Sequence, residues 1–160
     1  MKLLLETWRK FLKEETAGAT GVKYSGILKI VLEPDVVAKV EAMQTSLPEE
    51  AQRLDGKDLH VTLIHQSVLK PFRKEIKNKI KTGEFNLPPH PPVLLEDDVW
   101  ERESTGKKSW AVRLENQDEM RNYVKEVMTL LGSQNTNPEP ERVFHVSLAN
   151  LTGHPTDSVR

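Results

Sequence analysis

The chain contains no cysteine. That excludes disulfides and thiolate metal sites, and it fits a reducing compartment. No apolar run nears the ~18–20 residues that span a bilayer. The opening Met1-Lys2-Leu3-Leu4-Leu5 is broken by Glu6, Arg9 and Lys10, so neither a membrane segment nor a signal peptide is expected, and a cytoplasmic location is. Charge of one sign is not in excess: 23 basic residues against 24 acidic ones leave a net charge of −1. That speaks against a broad non-specific nucleic-acid surface, and duplex nucleic acid is not an expected partner. A small anionic ligand needs only a local site and stays possible. No His, Asp and Glu cluster has ligand spacing, so no metal and no cofactor are expected; Glu96-Asp97-Asp98 reads as a solvated acidic strand end.

What the chain does have is a repeated pentapeptide. Leu59-His60-Val61-Thr62-Leu63 is echoed by Phe144-His145-Val146-Ser147-Leu148. Each reads as a strand with apolar and polar side chains in alternation. Side chains two apart share a face. His60 and Thr62 therefore project together, and so do His145 and Ser147. Their apolar neighbours face the other way, into a core. A lone His-x-Thr says little, because a histidine among β-branched residues is commonly a satisfied or surface residue. Two copies in matching context point to a two-fold acid–base site.

The rest of the chain supplies a frame for it. At 160 residues it suits one domain or two small lobes. Residues 1–17 predict an amphipathic helix, with Leu4, Leu5, Trp8, Phe11 and Leu12 on one face, followed by a glycine-containing linker. The domain proper covers residues 20–160. Within it the pattern predicts a strand over 22–32 and a helix over 35–46. The first histidine strand follows at 58–65, then a helix with a basic outer face at 69–82. A hairpin of 93–101 with 108–115 comes next, then a helix at 117–131, the second histidine strand and an irregular tail. With a two-residue hairpin turn, Trp100 stands opposite Ala111, and Trp100 and Arg113 share the face away from the core. The overall class is α+β with antiparallel strands.

Paired His-x-[Thr/Ser] motifs resemble those of the two-histidine phosphoesterase superfamily, over about residues 22–151. The resemblance implies two lobes with antiparallel sheets around a central groove and helices outside. It implies metal-free cleavage of nucleotide phosphodiesters, with His60 and His145 moving protons and Thr62 and Ser147 holding phosphate. Within the superfamily, the Lys23-Tyr24-Ser25-Gly26 strand, a tryptophan between the motifs and the ending Asn150 to Val159 look like the phage anti-CBASS nucleases. That implies cyclic di- or trinucleotide substrates of bacterial immunity, and the host cytoplasm as the location if the chain is phage-encoded. Tyr24 and Trp100 are then candidates to stack on a base, with ordinary packing as the alternative for each. Lys29 and Arg113 are candidates to meet a phosphate or a base edge. One enzymatic rival is an RNA 2′,3′-cyclic phosphodiesterase or 2′–5′ ligase-like enzyme. A non-enzymatic rival is a sponge that sequesters the messenger. The oligomeric state is not readable.

Overall fold

The computed structural model describes residues 21–159. The expected helix of residues 1–17 lies outside them.

Residues 22–32 form two strands, β1 (Val22–Tyr24) and β2 (Leu28–Val31), where the sequence pattern predicts one. They pair as a hairpin, with Val22 opposite Ile30 and Tyr24 opposite Leu28. The turn is set by Gly26, whose φ of +88° is strained for any residue with a Cβ. Apolar alternation runs straight through this turn, so periodicity alone does not reveal it. Helix α1 (Pro34–Gln44) follows, with proline in its first turn. Then come β3 (Gln52–Arg53), the first histidine strand β4 (His60–Ile64), and a single helical turn at Gln66–Leu69. The predicted helix over 69–82 begins later: α2 spans Arg73–Thr82, after a 3-10 turn at Lys70–Phe72. Pro71 explains the break, since it has no N–H to continue the ladder. The hairpin β5 (Leu95–Ser104) and β6 (Lys107–Leu114) has the predicted register, with Trp100 opposite Ala111 and Val99 opposite Val112. Its turn residues Thr105 and Gly106 both have positive φ, the type I′ geometry that matches strand twist. Helix α3 (Gln117–Leu130) and the second histidine strand β7 (His145–Asn150) complete the order.

All pairings are antiparallel, and the strands form one open sheet where separate sheets were expected. Its order is β1-β2-β4-β7-β6-β5, with β3 beside β7. The two histidine strands are neighbours at its centre. Their pairing is a short one, with Val61 opposite Val146. Beyond that point β7 takes β3 as its neighbour, through Gln52 opposite Asn150 and Arg53 opposite Ala149. The two halves of the sheet thus meet at a narrow junction.

The core lies on one face. Val61, Leu63, Val146 and Leu148 are fully buried there with Val40 of α1, Ile76 of α2 and Met120 and Val127 of α3. Two glutamines extend the sheet's hydrogen bonding. Gln117 donates to Leu114 O and Phe144 O and accepts from Phe144 N, each at 2.8 Å. Buried Gln44 donates to Leu54 O at 3.1 Å and Leu148 O at 2.8 Å. Gln44→Leu should therefore destabilise the fold by ~1–3 kcal/mol, because Leu54 O loses its amide donor and Leu148 O keeps only Leu54 N. Urea denaturation reads this directly, and a change below about 0.5 kcal/mol would mean that water replaces the amide.

Candidate active site

The face opposite the helices carries the polar alternates. Antiparallel partners share a face, so the register assembles the site row by row. In the first row, Lys29 stands opposite Thr62, and His145 opposite Arg113. In the second, Val31 stands opposite His60, Ser147 opposite Ala111, and Ala111 opposite Trp100. The contact of Val61 with Val146 joins the halves. It sets His60 across from Ser147 and Thr62 across from His145. Each histidine therefore faces the other strand's hydroxyl. From Lys29 to Arg113 the first row crosses three strand steps of ~4.8 Å, a span of roughly 14 Å.

The two imidazoles are held in the same way. His60 Nδ1 donates to Asp58 O and His145 Nδ1 donates to Val143 O, both at 2.8 Å. A carbonyl only accepts, so each Nδ1 carries a hydrogen and each neutral ring keeps a bare Nε2. His60 Nε2 accepts from the Thr62 hydroxyl at 3.1 Å. His145 instead meets Trp100 edge-on, with ring centroids 5.7 Å apart. The small Ala111 between Trp100 and Ser147 leaves room for the indole to lean that way. Arg102 lies over the Trp100 ring at 4.5 Å and Arg113 at 5.5 Å.

Both histidines have depressed proton affinity. For His60, burial is the main cause, with Lys29 and Arg142 adding repulsion and the bond to Asp58 O opposing. For His145, burial again leads; Arg102, Arg142 and His60 add repulsion, and the bond to Val143 O opposes. The free site thus holds two neutral imidazoles at pH 7 among cations. Below the unfolded value of 6.5 the unfolded chain takes up protons that the folded chain does not yet bind. Stability should fall as pH drops below about 6.5, and flatten once the folded histidines also protonate. Thermal melts between pH 7.5 and 5 should show a smaller loss in the His60→Gln/His145→Gln double variant than in the wild type. Equal losses would contradict this.

Of the sequence candidates, the structure brings His60, Thr62, His145, Ser147, Lys29, Trp100 and Arg113 onto one face. Arg113 is also paired with Glu96 at 3.1 Å. Tyr24 is not among them: it stands opposite Leu28 on the strand face that Val22 and Ile30 bury, where it is partly exposed and packs against the core cluster. Three contributors carried no recognised signal. Arg102 is two residues past Trp100, so strand alternation was enough to find it. Arg142 arrives on the strap before β7 and reaches Thr62 O at 3.3 Å. Asn150, fully buried, organises the tail: it donates to His154 O at 2.6 Å and accepts from Gly153 N at 2.6 Å. Val159 N then bonds Ser109 Oγ at 2.6 Å, and Arg102 donates to Val159 O at 3.2 Å. The tail, irregular in sequence, is thereby pinned beside Arg102, one same-face position beyond Trp100.

The other histidines are local. His65 Nδ1 accepts from Ser67 N at 3.2 Å, and His154 Nδ1 from Thr156 N at 3.4 Å, each capping a short turn. A cleft of about 1020 Å³ opens elsewhere, between α1, residues 53–58 and residues 153–156. It touches the histidine site only through Asp58, and its mixed Glu41, Asp55, Arg53 and Lys57 lining favours neither charge. Among the described residues no three His, Asp or Glu groups gather as for a metal, and no helix is long and apolar enough to cross a membrane. Family models, curated proteins and solved structures give no match to this chain.

Proposed function

We propose that this chain is a phosphodiesterase of the two-histidine type, working without metal on a nucleotide phosphodiester. The observation that carries the reading is the pair of imidazoles. Each has its Nδ1 tied to the carbonyl two residues back, which leaves Nε2 without a hydrogen, that of His60 accepting from the Thr62 hydroxyl, and each stands across from a hydroxyl on the other strand. Such a pair suits in-line displacement at phosphorus. One Nε2 removes a proton from the attacking oxygen, and the other, protonated, delivers one to the leaving oxygen. Binding of a phosphate anion among Lys29, Arg102, Arg113 and Arg142 favours the one protonated ring that this division needs. Thr62 and Ser147 donate to the non-bridging oxygens, where charge builds in the transition state. In this reading the two halves of the sheet act as the two lobes of the family.

The substrate we favour is a cyclic di- or trinucleotide messenger, in keeping with an anti-CBASS role. The ribose 2′-hydroxyl attacks its own 3′ phosphorus, the bond to the 5′ oxygen breaks, and a 2′,3′-cyclic phosphate forms that water can open. Trp100 and the guanidiniums over it supply a surface on which a base stacks, an interaction of ~1–3 kcal/mol. The row of site residues from Lys29 to Arg113 crosses only three strand steps, roughly 14 Å, which favours a compact ligand over a long RNA. A panel separates the possibilities. With EDTA present, cyclic di- and trinucleotides and an RNA ending in a 2′,3′-cyclic phosphate are incubated with the protein and products weighed by mass spectrometry. Ring opening is expected. Turnover of the RNA end alone would shift the assignment to that rival, and tight binding without products would identify a sponge.

A further inference from the structure

Arg142 is held in an unusual place. Its backbone is fixed from α3, where Arg121 Nη2 donates to Arg142 O at 2.7 Å. Its side chain crosses the junction between the sheet halves. Nε donates to Thr62 O at 3.3 Å, just where pairing of β4 with β7 stops after Val61. Nη1 lies 3.2 and 3.3 Å from the two Glu139 carboxylate oxygens. Nη2 has no protein partner among the described residues. The side chain is only 18% exposed, so this is a desolvated guanidinium and not a surface one. The next residue, Val143, orients His145, and Thr62 touches His60 Nε2. Arg142 is thus one step from each half of the acid–base pair. A guanidinium pinned on two sides, with one amino group to spare, is preorganised for an anion.

We propose that Arg142 is the phosphate anchor of this site, its Nη2 donating to a non-bridging oxygen of a phosphate group held between His60 and His145. This deepens the phosphodiesterase reading and rests on it for the identity of the substrate. The repulsion that Arg142 exerts on both imidazoles is consistent with that position and gives a second readout. Glu139 neutralises the anchor while the site is empty and competes with the anion.

The test uses the whole chain and inorganic phosphate, and so does not depend on turnover. Ring signals of His60 and His145 are followed by NMR during a phosphate titration, in the wild type, Arg142→Gln and Arg142→Lys. In the wild type both rings should shift with phosphate. Arg142→Gln should weaken phosphate binding about tenfold, as expected for loss of one charge-assisted hydrogen bond. It should also raise the pKa of both histidines. Arg142→Lys keeps the charge and should retain the lowered histidine pKa values. It should bind phosphate more weakly than the wild type, because an ammonium cannot serve Thr62 O and the anion with one fork. This variant keeps the test open if Arg142→Gln fails to fold. Equal phosphate affinity in the wild type and both variants would overturn the anchor, even if the wild type cleaves cyclic oligonucleotides. Phosphate binding that depends on Arg142, in a protein that cleaves none of them, would keep the anchor and reject the phosphodiesterase reading.

Discussion

His60→Ala and His145→Ala are each expected to lower turnover by about 10²–10⁴-fold, the usual contribution of a positioned acid or base. Both rings lie on the face away from the core, and both are partly exposed. The strands themselves are pinned by Val61, Leu63, Val146 and Leu148, which are 0–1% exposed. Removing either ring should therefore leave far-UV circular dichroism unchanged and the melting transition cooperative. The double variant should be little worse than the slower single one, because an acid and a base that act in one step fail together. Substrate binding should survive in all three. Turnover within tenfold of the wild type in either alanine variant would remove that histidine from the mechanism.

The hydroxyls should matter almost as much. Thr62→Val and Ser147→Ala are each expected to reduce kcat by about 10²–10³-fold, the scale for loss of one donor to a developing oxyanion. Valine copies the shape and branching of Thr62, so β4 should keep its packing. His60 stays oriented through Asp58 O, at 2.8 Å, when the Thr62 hydroxyl is gone. The loss should fall on kcat more than on KM, since the bond strengthens only as charge builds. A rise in KM with kcat unchanged would assign these hydroxyls to ground-state binding alone.

Much of this site was legible in the sequence because a strand is a simple device. Its period of two puts His60 with Thr62 and His145 with Ser147, whatever the rest of the fold does. The hairpin register was legible for a similar reason: Thr105-Gly106 accepts the φ values of a tight turn, and that fixes Trp100 opposite Ala111. What pairs with what over long range was not legible. Nothing local says that β4 and β7 lie side by side with Val61 opposite Val146. The diagonal square of two imidazoles and two hydroxyls comes from that contact. The orienting carbonyls of Asp58 and Val143 were hidden too, since any residue supplies a carbonyl. Arg142 sits in a polar, proline-containing strap with no periodicity, and only the fold carries it to Thr62. The β1–β2 turn was missed for the opposite reason: its apolar alternation continues unbroken across Gly26.

The proposed opening of a nucleotide phosphodiester by proton transfer alone rests on two histidines whose Nε2 atoms carry no hydrogen. It is tested most directly by mass spectrometry of a cyclic dinucleotide incubated with EDTA-treated protein in ¹⁸O-labelled water. The account predicts ring opening by the wild type. The first product should hold a 2′,3′-cyclic phosphate and no ¹⁸O, and each cyclic phosphate later opened by water should gain a single ¹⁸O. The His60→Ala/His145→Ala protein should form neither. A first product already carrying ¹⁸O, or a substrate left intact by the wild type across the cyclic di- and trinucleotide panel, would contradict it.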